Sequence, residues 1–149
     1  MFLKKEYFKK YPALSLTVII LAFFPISVMA QQLHLYGGQN HDEYLGCITC
    51  SKHDPKSIWN AYTEYGSDFG NHSIWNEMSE YGNDYSVFSP WNEYASYPPA
   101  VVDKAGNFYG YFTTNEYNSK RTTIEWLVEI LDNWEWIRDN FEKYVNELN

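Results

Sequence analysis

From Ser57 onward the chain repeats one sixteen-residue phrase three times. Ser57-Ile58-Trp59-Asn60 returns as Ser73-Ile74-Trp75-Asn76 and again as Ser89-Pro90-Trp91-Asn92. Each copy closes on a tyrosine and a turn residue: Tyr65-Gly66, Tyr81-Gly82, Tyr97-Pro98. A fixed period of this length means a repeated supersecondary unit, stacked so that neighbours bury each other's apolar face. It constrains architecture strongly and function weakly.

Within one copy the residue types predict a short helical turn. Ser57, Ser73 and Ser89 suit the N-cap position, and Pro90 falls where a first helical residue needs no N–H. Gly66 and Gly82 stand where a two-turn helix would require a left-handed residue. Ile58, Tyr62 and Tyr65 have helical spacing, as do Ile74, Met78 and Tyr81. After the repeats, Ala100-Val101-Val102, the turn 103–107 and Phe108 to Phe112 read as a β-hairpin, expected to pack against the repeats or a terminal helix. From Thr123, apolar residues recur at helical spacing through Ile124, Leu127, Val128, Leu131, Trp134, Ile137, Phe141, Tyr144 and Leu148. Asp132-Asn133-Trp134-Glu135 could cap a fresh helix, so this is one bent helix or two. The expected fold class is α+β, a single small domain over 31–149. It comprises a C-x-x-C segment (31–56), three helical-turn repeats (57–99), a hairpin (100–117) and the C-terminal helix (118–149).

Residues 1–30 read as a secretory signal peptide. Lys4, Lys5, Lys9 and Lys10 precede an apolar run from Ala13 to Phe24, and Val28-Met29-Ala30 supplies the small residue of a cleavage site. The expectation is an exported protein, periplasmic or secreted, with no stable membrane insertion once the leader is cleaved. Without those thirty residues, seven basic and eighteen acidic side chains remain, a net charge of −11. Such a surface repels phosphate backbones, which excludes nucleic acid as a partner. Cationic or neutral partners stay open.

Residues 31–149 hold 17 Leu, Ile and Val against 23 aromatic residues, so the core must be built largely of rings. Packing is therefore the first expectation for Trp59, Trp75 and Trp91. The competing expectation makes Trp59, Asn60, Trp75, Asn76, Trp91 and Asn92 a ligand surface. Exposed rings stack on sugar faces, amides bond hydroxyls, and aromatic residues also dominate protein interfaces.

Cys47 and Cys50 are the only cysteines. In an exported chain they read as a small-loop disulfide. Two other readings stay open: a redox-active pair, and a zinc site in which His41 and His53 join the two thiolates. No phosphate cradle, nucleophile elbow or Ser/His/Asp signature is present, so no catalytic residue is named. The expected function is a non-catalytic exported binding or scaffold module, its ligand a glycan or a protein. The alternative is a thiol- or metal-dependent protein centred on Cys47-x-x-Cys50.

The SIWN…YG phrase, preceded by YLGCITC and followed by SPWNEYASYPPAVVDKAGNFYGYFT, resembles a group of small, uncharacterised exported bacterial proteins. The resemblance covers most of residues 36–117. It implies export from a bacterial cell and carries no activity, cofactor or site residue with it.

Overall fold

Serine, threonine and asparagine do organise the repeat region, but as turn formers. The computed structural model describes residues 31–148, and the leader expected at 1–30 lies outside them. Residues 57–99 contain no helix, which corrects the helical-turn expectation. The backbone runs instead through linked turns, each beginning where the last one ends. The N–H groups of Asn60, Thr63, Ser67, Gly70 and Ser73 donate in order to the carbonyls of Ser57, Asn60, Thr63, Ser67 and Gly70. Asn76, Ser79, Asn83, Ser86 and Ser89 then donate to Ser73, Asn76, Ser79, Asn83 and Ser86. Steps of three, three, four, three and three residues give the sixteen-residue period both times.

The physical cause lies at the corners. The hydroxyls of Ser57, Ser73 and Ser89 each accept the N–H two residues ahead, on Trp59, Trp75 and Trp91. The Asn60, Asn76 and Asn92 amide oxygens do the same for Tyr62, Met78 and Tyr94. Short polar side chains of this kind compete with the helical hydrogen-bond ladder. A serine cap followed three residues later by another capping side chain starts a new turn before a helix can propagate. Gly66 and Gly82 are likewise not left-handed residues. A Cβ on either would lie 2.4 or 2.1 Å from the carbonyl oxygen of Asn60 or Asn76, so glycine is needed there for close backbone approach.

The hairpin forms as expected, but its partner is a pair of strands that the residue pattern did not reveal. Strands β1 (Leu33–Gly37), β2 (Glu43–Cys47), β3 (Ala100–Asp103) and β4 (Phe108–Tyr111) make one antiparallel sheet in the order β2-β1-β3-β4. Leu33, Leu35 and Gly37 face the core, while His34 and Tyr36 alternate onto the other face. The register slips between Leu35 and Tyr36 where β1 meets β2, so Leu45 bulges between Gly46 and Tyr44.

At the C-terminus the apolar stripe is carried by three helices, not one or two: α1 (Glu125–Asp132), α2 (Trp134–Asp139) and α3 (Phe141–Glu147). Asn133 and Asn140 separate them. Each turns its amide back onto the carbonyl four residues earlier, Glu129 and Trp136. The capping role expected of Asp132 is absent; its carboxylate pairs with Arg121 at 2.8 Å. Among the described residues no helix is long and apolar enough to cross a membrane. The domain is mixed α and β, and its core is aromatic. Trp59, Trp75, Trp91 and Trp134 form a run of rings with centroids 5.4, 5.2 and 5.1 Å apart. Phe141 and Tyr144 close over its first members.

Candidate functional site

Reading the linked turns by position gives a simple rule. The third residue of nearly every turn is large and apolar or aromatic, and its fate alternates around the coil. Trp59, Trp75 and Trp91 point inward and retain only 1–5% of their accessible surface. Each indole N–H donates to a backbone carbonyl on an earlier pass of the chain: Ile48, Ile58 and Ile74. Each repeat asparagine is spent on both ends of its amide. The oxygens hold the turn, and the NH2 groups of Asn60, Asn76 and Asn92 donate to the carbonyls of Asp54, Gly70 and Ser86. Neither stacking face nor free amide is left, so Trp59, Asn60, Trp75, Asn76, Trp91 and Asn92 are structural. The ligand surface expected on them is corrected by the burial of the three rings and the engagement of the three amides.

The next set of rings runs along the sheet side. Tyr44 meets Tyr65 edge-on at 5.1 Å. Tyr65, His72, Tyr81, Phe88 and Tyr97 follow with centroids 6.4, 6.1, 6.3 and 5.8 Å apart. His72 occupies the place that Phe88 takes one repeat later. Its Nδ1 lies 2.8 Å from Glu64, a hydrogen bond that holds the Glu64 carboxyl below its ordinary range.

The remaining turn positions face water. Tyr62, Phe69, Met78, Tyr85 and Tyr94, with Tyr117 in a similar turn after the hairpin, are each 81–96% exposed. Every one is fixed by the same device, its N–H donating to the side chain two residues back: Asn60, Ser67, Asn76, Asn83, Asn92 and Asn115. Five of the six are directly preceded by an acid: Asp68, Glu77, Asp84, Glu93 and Glu116. Sequence reasoning missed this set by following the tryptophans. The signal was there in the Asn/Ser-acid-aromatic triplets Ser67-Asp68-Phe69, Asn83-Asp84-Tyr85, Asn92-Glu93-Tyr94 and Asn115-Glu116-Tyr117.

Not every acid is free. Asp84 accepts two hydrogen bonds from Arg138 of α2, at 2.8 and 3.2 Å, and Glu77 lies 3.1 Å from the same guanidinium without the alignment of a hydrogen bond. Arg138 also sits 4.5 Å from the centre of the Trp134 ring. This cluster ties the second repeat to the helices.

Cys47 and Cys50 are joined in a disulfide, Cα–Cα 5.4 Å, so neither sulfur is available as a thiolate ligand in this state. His41, the proposed third ligand, donates from Nε2 to the Pro98 carbonyl at 2.9 Å and stacks on Tyr111. His53 is exposed on the turn after the cysteines. Among the described residues no group of three or more His, Cys, Asp or Glu side chains is placed to hold a metal ion.

No family model matches the chain, and neither a curated protein nor a solved structure is similar to it.

Proposed function

We propose that the chain is a non-catalytic exported binding module. Its contact residues are the outward Tyr62, Phe69, Met78, Tyr85, Tyr94 and Tyr117, and its partner is a protein with a basic face. The observation that carries this reading is the exposure of six large apolar side chains, each held by a side-chain-to-backbone hydrogen bond. Aromatic side chains and methionine are the types enriched at protein interfaces, and turns that hold them in place lower the entropy lost when they bind. Two features favour protein over glycan. Met78 occupies the place of Tyr62 and Tyr94, and a thioether suits an adaptable protein contact while offering no flat face to a sugar. The exposed acids Asp68, Glu93 and Glu116, each directly before one of these rings, would steer and orient a cationic surface. The three-copy coil then acts as scaffold, its buried tryptophans setting the spacing of the outward rings. Export is supported by the Cys47–Cys50 disulfide, since such bonds persist in oxidising compartments.

The test compares the parent chain with a variant carrying Tyr62→Ser, Phe69→Ser, Met78→Ser, Tyr85→Ser and Tyr94→Ser. Both are assayed against immobilised lysozyme as a basic protein probe and against insoluble peptidoglycan, cellulose and chitin. Binding to the basic protein that falls at least tenfold in the variant supports the proposal. Retention on a polysaccharide, lost in the same variant, would move the reading to glycan. Equal behaviour of parent and variant on every probe would sink it.

A further inference from the structure

The solvent face of the sheet carries a second, chemically different site. His34 and Tyr36 of β1, Tyr44 of β2, Ala100 and Val102 of β3, and the turn residue His41 line a groove of about 550 Å³. Lys56 and Lys104 flank it. Seven basic side chains lie within 31–149, and four of them are engaged. Arg121 and Arg138 are in ion pairs, Lys52 donates to Asn146, and Lys143 lies over the Trp136 ring. Lys56 and Lys104 make no ion pair or hydrogen bond through their ammonium groups among the described residues. Of the three basic side chains left, Lys56, Lys104 and Lys120, the first two converge on one groove.

One carboxylate stands among them and offsets part of their charge. Asp103 belongs to the lining and stays ionised, but its oxygens are turned into the hairpin turn rather than toward the groove's lysines. It accepts from the backbone N–H groups of Ala105 and Asn107 and from the side chains of Asn107, Tyr109 and Gln31. Burial lowers the His34 pKa most, Lys104 and Lys56 lower it further, and Asp54 opposes them more weakly. His34 and Tyr44 share a hydrogen bond at 3.0 Å, and burial pushes the Tyr44 hydroxyl up to about 12, so neither brings negative charge to the groove at neutral pH. Tyr36 and Tyr44 meet edge to face at 5.3 Å and form the aromatic part of the wall.

We infer that this groove binds a small organic anion with a flat face, a ring bearing a carboxylate or phosphate. The ammonium groups of Lys56 and Lys104 take the anionic group as compact point charges. Tyr36, Tyr44 and Val102 cover the ring. The site is separate from the outward residues and does not depend on their function.

The experiment is an NMR titration of the full chain with phenyl phosphate and benzoate, using phenol and inorganic phosphate as partial ligands. Saturable shifts at the amides of Tyr36, Val102 and Lys104 with an aryl anion, at least tenfold weaker with phenol and with inorganic phosphate, are expected. The same aryl anion should raise the His34 pKa, because a nearby negative charge favours the imidazolium. In the double variant Lys56→Ala, Lys104→Ala, affinity should fall at least tenfold. Both side chains are exposed, so folding should be retained, as amide dispersion will show. Equal affinity for phenol, or no loss in the double variant, overturns the inference. Inorganic phosphate binding as tightly as phenyl phosphate overturns the part played by the ring. An absence of saturable shifts with either aryl anion overturns it altogether.

Discussion

Trp75 and Tyr85 are both third residues of Ser/Asn-headed turns, ten positions apart in the same coil, with N–H groups held by Ser73 and Asn83. One is 1% exposed and the other 91%. Nothing in the local turn distinguishes them. The difference is what lies opposite: Trp75 faces Trp59, Trp91 and Phe141, whereas Tyr85 faces solvent. Local hydrogen bonding sets the direction of a ring here, and tertiary packing decides whether that ring becomes core or contact surface.

Substitutions at these two positions should part furthest. Trp75→Ala removes a fully packed ring and an indole hydrogen bond, and should cost about 3–5 kcal/mol by chemical denaturation, enough to unfold a small domain. A loss below about 1 kcal/mol would show that the run of tryptophans is not the core. Gly82→Ala comes next, because its Cβ would stand 2.1 Å from the Asn76 carbonyl oxygen. Overpacking of this kind costs about 1–3 kcal/mol. Gly106→Ala, with nothing within 4 Å of its Cβ but a positive φ of 85°, separates crowding from backbone strain.

The disulfide should contribute less than the ring stack, since it closes a loop with a sequence separation of only 3. The chain-entropy relation gives about 2 kcal/mol, to be read from Cys47→Ser, Cys50→Ser unfolding. Alkylation of the unreduced, denatured chain should find no free thiol; two labelled thiols would restore the thiol- and metal-based alternative.

A smaller effect belongs to acid. Hydrogen bonds from Asn107, Tyr109 and Ala105 hold Asp103 down to about 2. Because the folded pKa lies below the unfolded one, this stabilisation is present above the ordinary carboxylate range and is lost as pH falls toward 2. Asp103→Asn should flatten the decline in melting temperature over that acid window. An unchanged slope would mean that the turn does not depend on the ionised carboxylate. Smallest of all, Tyr85→Ser should move stability by no more than about 0.5 kcal/mol while weakening partner binding.

Parts of the fold were legible beforehand because their signals are local. The hairpin announces itself through Val101-Val102 and Phe108-Tyr109 around Asp103-Lys104-Ala105-Gly106-Asn107. The C-terminal stripe shows in the spacing of Leu127, Leu131, Trp134 and Ile137, although not its breaks. At Asn133 and Asn140 an amide captures a carbonyl of its own helix, a choice that composition does not express. The pairing of β1 with β3 joins residues such as Leu33 and Asp103 far apart in the chain, and the two local hairpins cannot meet until the coil has folded between them. The candidate site was displaced for a related reason. Trp59, Trp75 and Trp91 drew attention by their size, while the outward residues were marked by modest triplets of corner, acid and ring.

The amino-acid sequence by itself determined the sixteen-residue period, the aromatic character of the core, the acidity of the surface and the only possible cysteine pair. Each depends on residue types and short-range spacing. Only the tertiary structure decided which rings face Trp134 and Phe141 and which face water, and brought Lys56 and Lys104 to one groove. Burial and convergence are properties of surfaces in contact, and they exist only once distant segments have met.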